Sequence, residues 1–191
     1  MNASPSTIRG LLRLNERLLW EGHPDVWAYS MRGALYLIPF SLLWGGFAIF
    51  WEVSVLTSKA PWFFAIWGVP FVAIGLYMIF GRILYARREA ASTTYAITDE
   101  RVLIQSGVFR PRLTVLDLSD LSPLQLDDGG RGLGTVTIGA SMSPIRIPPG
   151  WPAMGMYARP PAFASIPDAA KVFELLQDAK AEARRRDARP S

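Results

Sequence analysis

The chain has 191 residues, a net charge of +4, no cysteine and a single histidine, His23. That composition excludes disulfides, thiolate metal sites, a cysteine nucleophile and any multi-histidine metal centre. Half of the residues are hydrophobic and only 19% are charged, against about 25% in an ordinary soluble domain. The deficit is local, because residues 33–81 hold just two charges, Glu52 and Lys59.

Residues 1–32 form an N-terminal segment. Within it Arg9, Arg13, Glu16 and Arg17 fall on one helical face, and Ile8, Leu11, Leu12, Leu18 and Trp20 populate much of the rest. The pattern fits an amphipathic helix on the inner leaflet. It equally fits Leu18-Leu19-Trp20 packing on the later domain as a strand. Gly22-His23-Pro24-Asp25 breaks whatever precedes it, and His23 reads as a turn residue, not a catalytic base. The polar start and the lack of an apolar core before residue 33 predict no cleaved signal peptide.

Two uncharged stretches, 33–51 and 60–81, follow within residues 33–85. At about 1.5 Å per residue the shorter one reaches roughly 28 Å, close to the hydrocarbon thickness of a bilayer. The connector between them is so short that both helices must turn at the same face, giving a transmembrane hairpin. Arg13, Arg17 and Arg32 precede it and Arg82, Arg87 and Arg88 follow it, while the connector offers Lys59 alone. The positive-inside tendency therefore predicts a multi-pass protein of the inner (cytoplasmic) membrane with both termini in the cytoplasm. Arg32, Trp51, Trp62, Arg82, Tyr85, Arg87 and Arg88 are the expected interface anchors, with Tyr36 beside them. Ser41 and Gly45, with Gly46 adjacent, have the small-xxx-small spacing that lets helices approach closely. Pro70 is expected to kink the second span. Glu52 reads as an interfacial anchor at a helix end rather than a proton site, and the absence of midplane charge or repeats argues against a carrier.

From residue 86 the pattern changes to short alternating runs between turn residues, as in an antiparallel β domain. Strands are predicted at 94–97, 102–105, 113–118, 124–126 and 135–138, with a short sixth at 145–147. A loop rich in proline, methionine and glycine follows, in which Met142, Met154, Met156 and Trp151 read as core filler or as an adaptable contact surface. Ser165-Ile166-Pro167-Asp168 is the expected N-terminal signal of a helix over 167–186. That helix carries an apolar stripe of Val172, Phe173, Leu176 and Ala179. A basic tail with Arg184, Arg185, Arg186 and Arg189 ends the chain.

Several strands in a bent sheet, closed by one C-terminal helix, is the layout of a pleckstrin-homology (PH) domain. The chain resembles the bacterial membrane-anchored PH-like proteins at Tyr95-Ala-Ile-Thr-Asp-Glu-Arg-Val-Leu-Ile104, Gly132-Leu-Gly-Thr-Val-Thr-Ile138 and Ile166-Pro-Asp-Ala169. Glu16-Arg-Leu-Leu-Trp-Glu-Gly22 and Pro39-Phe-Ser-Leu-Leu-Trp-Gly-Gly46 match that group as well. The expected fold is thus an α+β membrane protein, a two-helix transmembrane hairpin plus a cytoplasmic PH-like β-barrel or sandwich over 86–191. The resemblance also implies a part in assembling membrane complexes. In eukaryotic relatives a basic strand–turn–strand grips phosphoinositides; here that turn is Asp99-Glu100-Arg101, so that site is not expected.

No catalytic pattern emerges. Gly130-Arg131-Gly132-Leu133-Gly134 leads into a strand, whereas a phosphate cradle needs a helix N-terminus. Asp127 and Asp128 lack the spacing of a calcium loop. No metal, cofactor or enzymatic activity is expected. The basic residues flank the spans and fill the tail without a basic–aromatic platform, which argues against nucleic acid. The expected partners are the lipid bilayer, another membrane protein and a second copy of the chain. The function read from this is a scaffold, assembly factor or regulator of another membrane protein. The competing reading is a sensor of anionic headgroups, using Arg110, Arg112, Arg184, Arg185 and Arg186.

Overall fold

The computed structural model describes residues 6–58, 60–121, 123–130, 132–139 and 160–188. Lys59, the predicted strand at 145–147, Met142, Trp151, Met154, Met156, Arg131 and Arg189 lie outside the described residues. A single turn of helix, α1 (Ser6–Arg9), is followed by strand β1 (Leu18–Gly22) and a short helix α2 (Val26–Ser30). Two long apolar helices come next. They are α3 (Ala34–Thr57) and α4 (Trp62–Leu76), the latter continuing through a π-helical turn at Tyr77–Gly81 into α5 (Arg82–Ala91). Strands β2 (Thr94–Thr98), β3 (Arg101–Ser106), β4 (Arg112–Asp117), β5 (Leu124–Asp128), β6 (Leu133–Ile138) and β7 (Ala162–Pro167) precede the final helix α6 (Ala169–Asp187).

The strands form two antiparallel sheets, ordered β1-β2-β3-β4 and β5-β6-β7. No hydrogen-bonded ladder joins β4 to β5, so of the two expected forms, barrel or sandwich, the sheets do not close into a barrel. The main core lies between them and α6. Tyr95, Ile97, Val102 and Ile104 meet Val136, Phe163 and Ile166, and α6 covers them with Val172, Leu176, Ala179 and Ala183. The stripe falls at three-to-four spacing, as a helix covering a sheet requires.

β1 belongs to this domain. Its backbone pairs Leu18 with Thr98 and Gly22 with Tyr95, and the Trp20 ring packs tilted against Phe163, 5.6 Å between centroids. No amphipathic helix spans residues 7–20. The segment instead covers the outer face of the first sheet, where Ile8 packs with Ala96 and Leu103. That cover explains why every residue of β2 is buried, on both faces of the strand. The apolar hairpin is therefore an insertion between the first two strands of the sheet.

A second departure lies at Ser165-Ile166-Pro167-Asp168. Ser165 and Pro167 belong to β7, and Ser165 sits with φ 52 where the β6–β7 register shifts. Its N–H donates to Thr135 Oγ1 at 3.2 Å and its carbonyl accepts from the Asp25 N–H at 2.7 Å. The residues that look like a helix cap are a β-bulge that runs straight into α6. The Asp168 carboxylate makes no cap bond and instead pairs with Lys171 at 3.1 Å.

Candidate functional site

The hairpin is built on close approach. Ser41, Gly45, Ala48 and Glu52 recur at three- and four-residue spacing along α3 and face α4; the first three are buried. A Cβ on Gly75 would lie 2.8 Å from the Gly45 Cα, and one on Gly45 would lie 2.8 Å from Ile79 Cδ1. A Cβ on Gly68 would collide with Glu52 Oε2. Ser41 and Gly45 thus sit in the seam. Gly46 does not, since nothing lies within 4 Å of where its Cβ would be. Gly68 and Gly75 complete the seam from α4, and their seven-residue spacing in the second stretch is the small-residue signal that points to it.

The hairpin also satisfies its own polar groups. Ser41 Oγ donates to the Leu37 carbonyl at 2.6 Å, Ser54 Oγ to Phe50 at 2.7 Å and Thr57 Oγ1 to Val53 at 2.8 Å. Such bonds back to the preceding turn remove the hydroxyls' need for water. Among the described residues of the hairpin, Glu52 and Arg82 are exceptions; the buried Oε2 of Glu52 has no hydrogen-bond partner. Glu52 is not at a helix end, because α3 runs on to Thr57.

The foot of the hairpin is fixed to the β domain. Asp25 Oδ1 caps α2 by accepting from the Ala28 N–H at 2.7 Å. His23 Nδ1 lies 3.1 Å from the Thr93 carbonyl. Tyr29, Ala90 and Ala164 form a small buried cluster that joins α2, α5 and β7. Among the expected anchors, Trp62 sits at the turn end, 75% exposed, and Trp51, also exposed, lies six residues before the end of α3 at Thr57. At the foot, Tyr85, Arg87 and Arg88 are exposed, and the Arg87 guanidinium stands 5.3 Å over the Trp27 ring. Arg32 is half-buried there. Arg82 departs from the expectation. It is only 1% exposed, and its Nε and Nη1 have no hydrogen-bond partner. The helical face it occupies is turned into the foot.

The arginines expected to meet headgroups fall into two groups. Arg110 is exposed on the β3–β4 connection and Arg112 at the start of β4, and the tip of the connection is Phe109, 82% exposed. The Phe109 ring lies 6.5 Å from that of Tyr85, which puts this connection beside the hairpin's foot. Arg186 lies at the other end of β3, 3.8 Å from Asp99 of the β2–β3 turn. A six-residue strand separates these ends by about 20 Å. Arg184 donates to the Ser119 carbonyl at 3.2 Å and Arg185 pairs with Glu182 at 3.6 Å. The structure thus does not bring the tail arginines to Arg110 and Arg112, and Phe109 is the neighbour that sequence reasoning missed.

At that far end the acidic turn is engaged in holding the N-terminal segment. Arg101 grips Glu16 through Nε–Oε1 and Nη2–Oε2, both 2.9 Å, and reaches the Leu11 carbonyl at 2.8 Å. Thr98 Oγ1 lies 2.8 Å from Glu16 Oε1, and the Arg13 N–H donates to Oε2 at 2.6 Å. Burial alone pushes the Glu16 carboxyl up. The bonds from Arg101, Arg13 and Thr98, with the Arg101 charge, outweigh it and hold the group at about 2, against 4.5 ordinarily. The Asp99 N–H donates to the Arg17 carbonyl at 3.1 Å, and Asp99 Oδ1 accepts from the Arg17 N–H at 2.8 Å. The turn is occupied by its own chain and is not an open ligand loop.

Among the described residues, two of the surface hollows bear on the site. One of about 340 Å³, on the β5 side of α6, is lined by Leu124, Gln177, Lys180, Ala181 and Arg184. The other, of about 260 Å³, lies on the hairpin among Glu52, Val69, Val72, Ala73 and Leu76. Among the described residues no group of three or more His, Asp or Glu is placed to hold a metal ion.

These features define a small two-sheet domain closed by a helix, with an apolar hairpin inserted after its first strand. The model of the bacterial PH domain family matches residues 35–180, and the chain belongs to that family. A relative in Rhodobacter capsulatus, described as an uncharacterised 23.7 kDa protein in the puhA 5' region, is 28% identical over 188 residues. The match covers 86% of this chain and 79% of the relative. No solved structure matches.

Proposed function

We propose that the chain is an inner-membrane protein whose PH-like domain is a non-enzymatic interaction module on the cytoplasmic face. It acts as a scaffold, assembly factor or regulator for another membrane protein. The observation that carries this reading is the way the hairpin enters the domain. It leaves through the β1–β2 connection, and its foot is tied to β7 through Asp25, Tyr29 and Ala90. A domain held in this way keeps one orientation to the bilayer and presents a fixed surface, as a scaffold needs. The two helices, Leu37–Thr57 and Trp62–Ala91, are long and apolar enough to cross, and their spanning windows are only 17% buried. A soluble core helix would be mostly covered. The arginines at the foot favour both termini in the cytoplasm. The outer edge of β4, with Leu113 and Val115 exposed, supports self-association.

The experiment is affinity purification of the tagged full-length protein from native membranes, with identification of what co-purifies. A stoichiometric membrane-protein partner is the expected result. Background proteins alone, with a strictly monomeric chain, contradict the reading.

The second reading is contact with anionic headgroups. It is favoured by the place of Phe109 beside Tyr85, which gives the β3–β4 connection an apolar tip and the charges of Arg110 and Arg112 at the level of the foot.

A further inference from the structure

Glu52 occupies an unusual place for an acid. It is opposite Gly68, which at about 1.5 Å per residue lies about 9 Å from Trp62 along α4. The missing Cβ of Gly68 makes the room that the carboxylate fills, and Oε2 is buried there without a partner. The serine and threonine hydroxyls of the same helix, Ser41, Ser54 and Thr57, are satisfied by their own backbone and are not turned to it. Beside the Glu52 stem lies the 260 Å³ hollow, an apolar surface completed by Val69, Val72, Ala73 and Leu76. An acid at such depth is stable only when it is paired or neutralised.

We propose that Glu52 is a docking point, inside the bilayer, for one basic side chain carried by the transmembrane helix of a partner protein. The inference rests on the hairpin spanning the membrane, as proposed above, and names the chemistry of the partner. A lysine or arginine fits both parts of the site. Its apolar stem lies against the valines and Leu76, and its charged head pairs with the Glu52 carboxylate as that group turns out of the Gly68 gap. A second copy of the chain does not supply this group. The only basic residue between positions 33 and 81 is Lys59, seven residues on from Glu52 in the sequence.

The test uses the full-length chain, donor-labelled, in phosphatidylcholine vesicles. The probes are acceptor-labelled synthetic leucine–alanine helices bearing lysine, glutamine or leucine at the depth of Glu52. The lysine helix is expected to associate about tenfold more strongly than the leucine helix, with glutamine between them. Glu52→Gln should remove most of that preference. Ala73→Phe, which leaves the carboxylate in place and fills the hollow, should weaken lysine-helix binding alone. Equal binding of lysine and leucine helices, or a lysine preference that survives Glu52→Gln, overturns the inference. So does equal association of the chain with itself and with the lysine helix, which would make a second copy the occupant. Alkaline washing of the same vesicles separates the two levels of the argument. A chain that washes off refutes the spanning hairpin itself, whereas a chain that stays without lysine preference refutes only the role of Glu52.

Discussion

Glu16 and Arg101 stand 85 residues apart in the chain and meet through two 2.9 Å hydrogen bonds. The pair closes the N-terminal segment over the β2–β3 turn, and Thr98 and the Arg13 N–H complete the carboxylate's shell. With Glu16 buried, removing it strands Arg101 at a poorly hydrated position. Glu16→Ala is therefore expected to destabilise the β domain by about 3 kcal/mol. Denaturant unfolding of the full chain in detergent, followed by tryptophan fluorescence, measures it; an unchanged midpoint contradicts the role.

The same carboxylate predicts a pH dependence. Its folded-state value of about 2 lies below the ordinary 4.5, so between these values the unfolded chain binds more protons than the folded one. Its contribution is complete above pH 4.5 and is lost as the pH falls towards 2, amounting to about 3 kcal/mol. The difference in stability between the wild type and Glu16→Ala should shrink across that window. A difference that stays constant from pH 6 to pH 2 is the contrary result.

Gly75 makes the tightest backbone crossing in the hairpin, with the Gly45 Cα 2.8 Å from where a Cβ would be. Gly75→Ala must push the helices apart, at a cost of about 1–3 kcal/mol. Gly45→Ala meets the flexible end of Ile79 and is expected to cost less, and Gly46→Ala meets nothing and should be neutral. Unfolding in mixed micelles ranks the three. Equal effects at positions 46 and 75 contradict the seam.

β1 is an integral strand, so a fragment beginning at residue 86 lacks Trp20 from the core and Glu16 from Arg101. That fragment is expected to fail to fold. A chain in which a short flexible linker replaces Gly33–Gly81 keeps β1 and should fold as a soluble domain. The amide spectra of the two proteins decide it, and a well-dispersed spectrum from the short fragment refutes the assignment.

Phe109 gives the headgroup reading its own test. An environment-sensitive dye on Phe109→Cys is expected to shift to the blue in vesicles containing phosphatidylglycerol, and less in phosphatidylcholine alone. Salt should reduce the difference, as should Arg110→Glu. A spectrum indifferent to lipid charge removes Arg110 and Arg112 from consideration.

The parts legible in the sequence were those with a local signal. The apolar helices follow from a run almost free of charge, the strands β2 to β6 from alternation between turn residues, and α6 from its stripe. β1 stayed ambiguous because Leu18-Leu19-Trp20 does not alternate and its partner strand lies beyond the hairpin. β7 was masked by Ser165-Ile166-Pro167-Asp168, whose residue types suit a helix start and here build a bulge. The seam was half legible, through Ser41 and Gly45. The Glu16–Arg101 pair, the burial of Arg82 and the meeting of Phe109 with Tyr85 depend on contacts between distant segments, and spacing along the chain carries no sign of them.

The proposed role requires a hairpin that crosses the membrane with the β domain on the inner side. The chain has no cysteine, so single reporters at Ser58→Cys in the hairpin turn and Gln125→Cys on β5 are free of background. With a membrane-impermeant maleimide on intact spheroplasts, Ser58→Cys should be labelled at once and Gln125→Cys only after permeabilisation. Labelling of Gln125→Cys in intact spheroplasts, with or without Ser58→Cys, contradicts the proposed topology and the cytoplasmic role built on it.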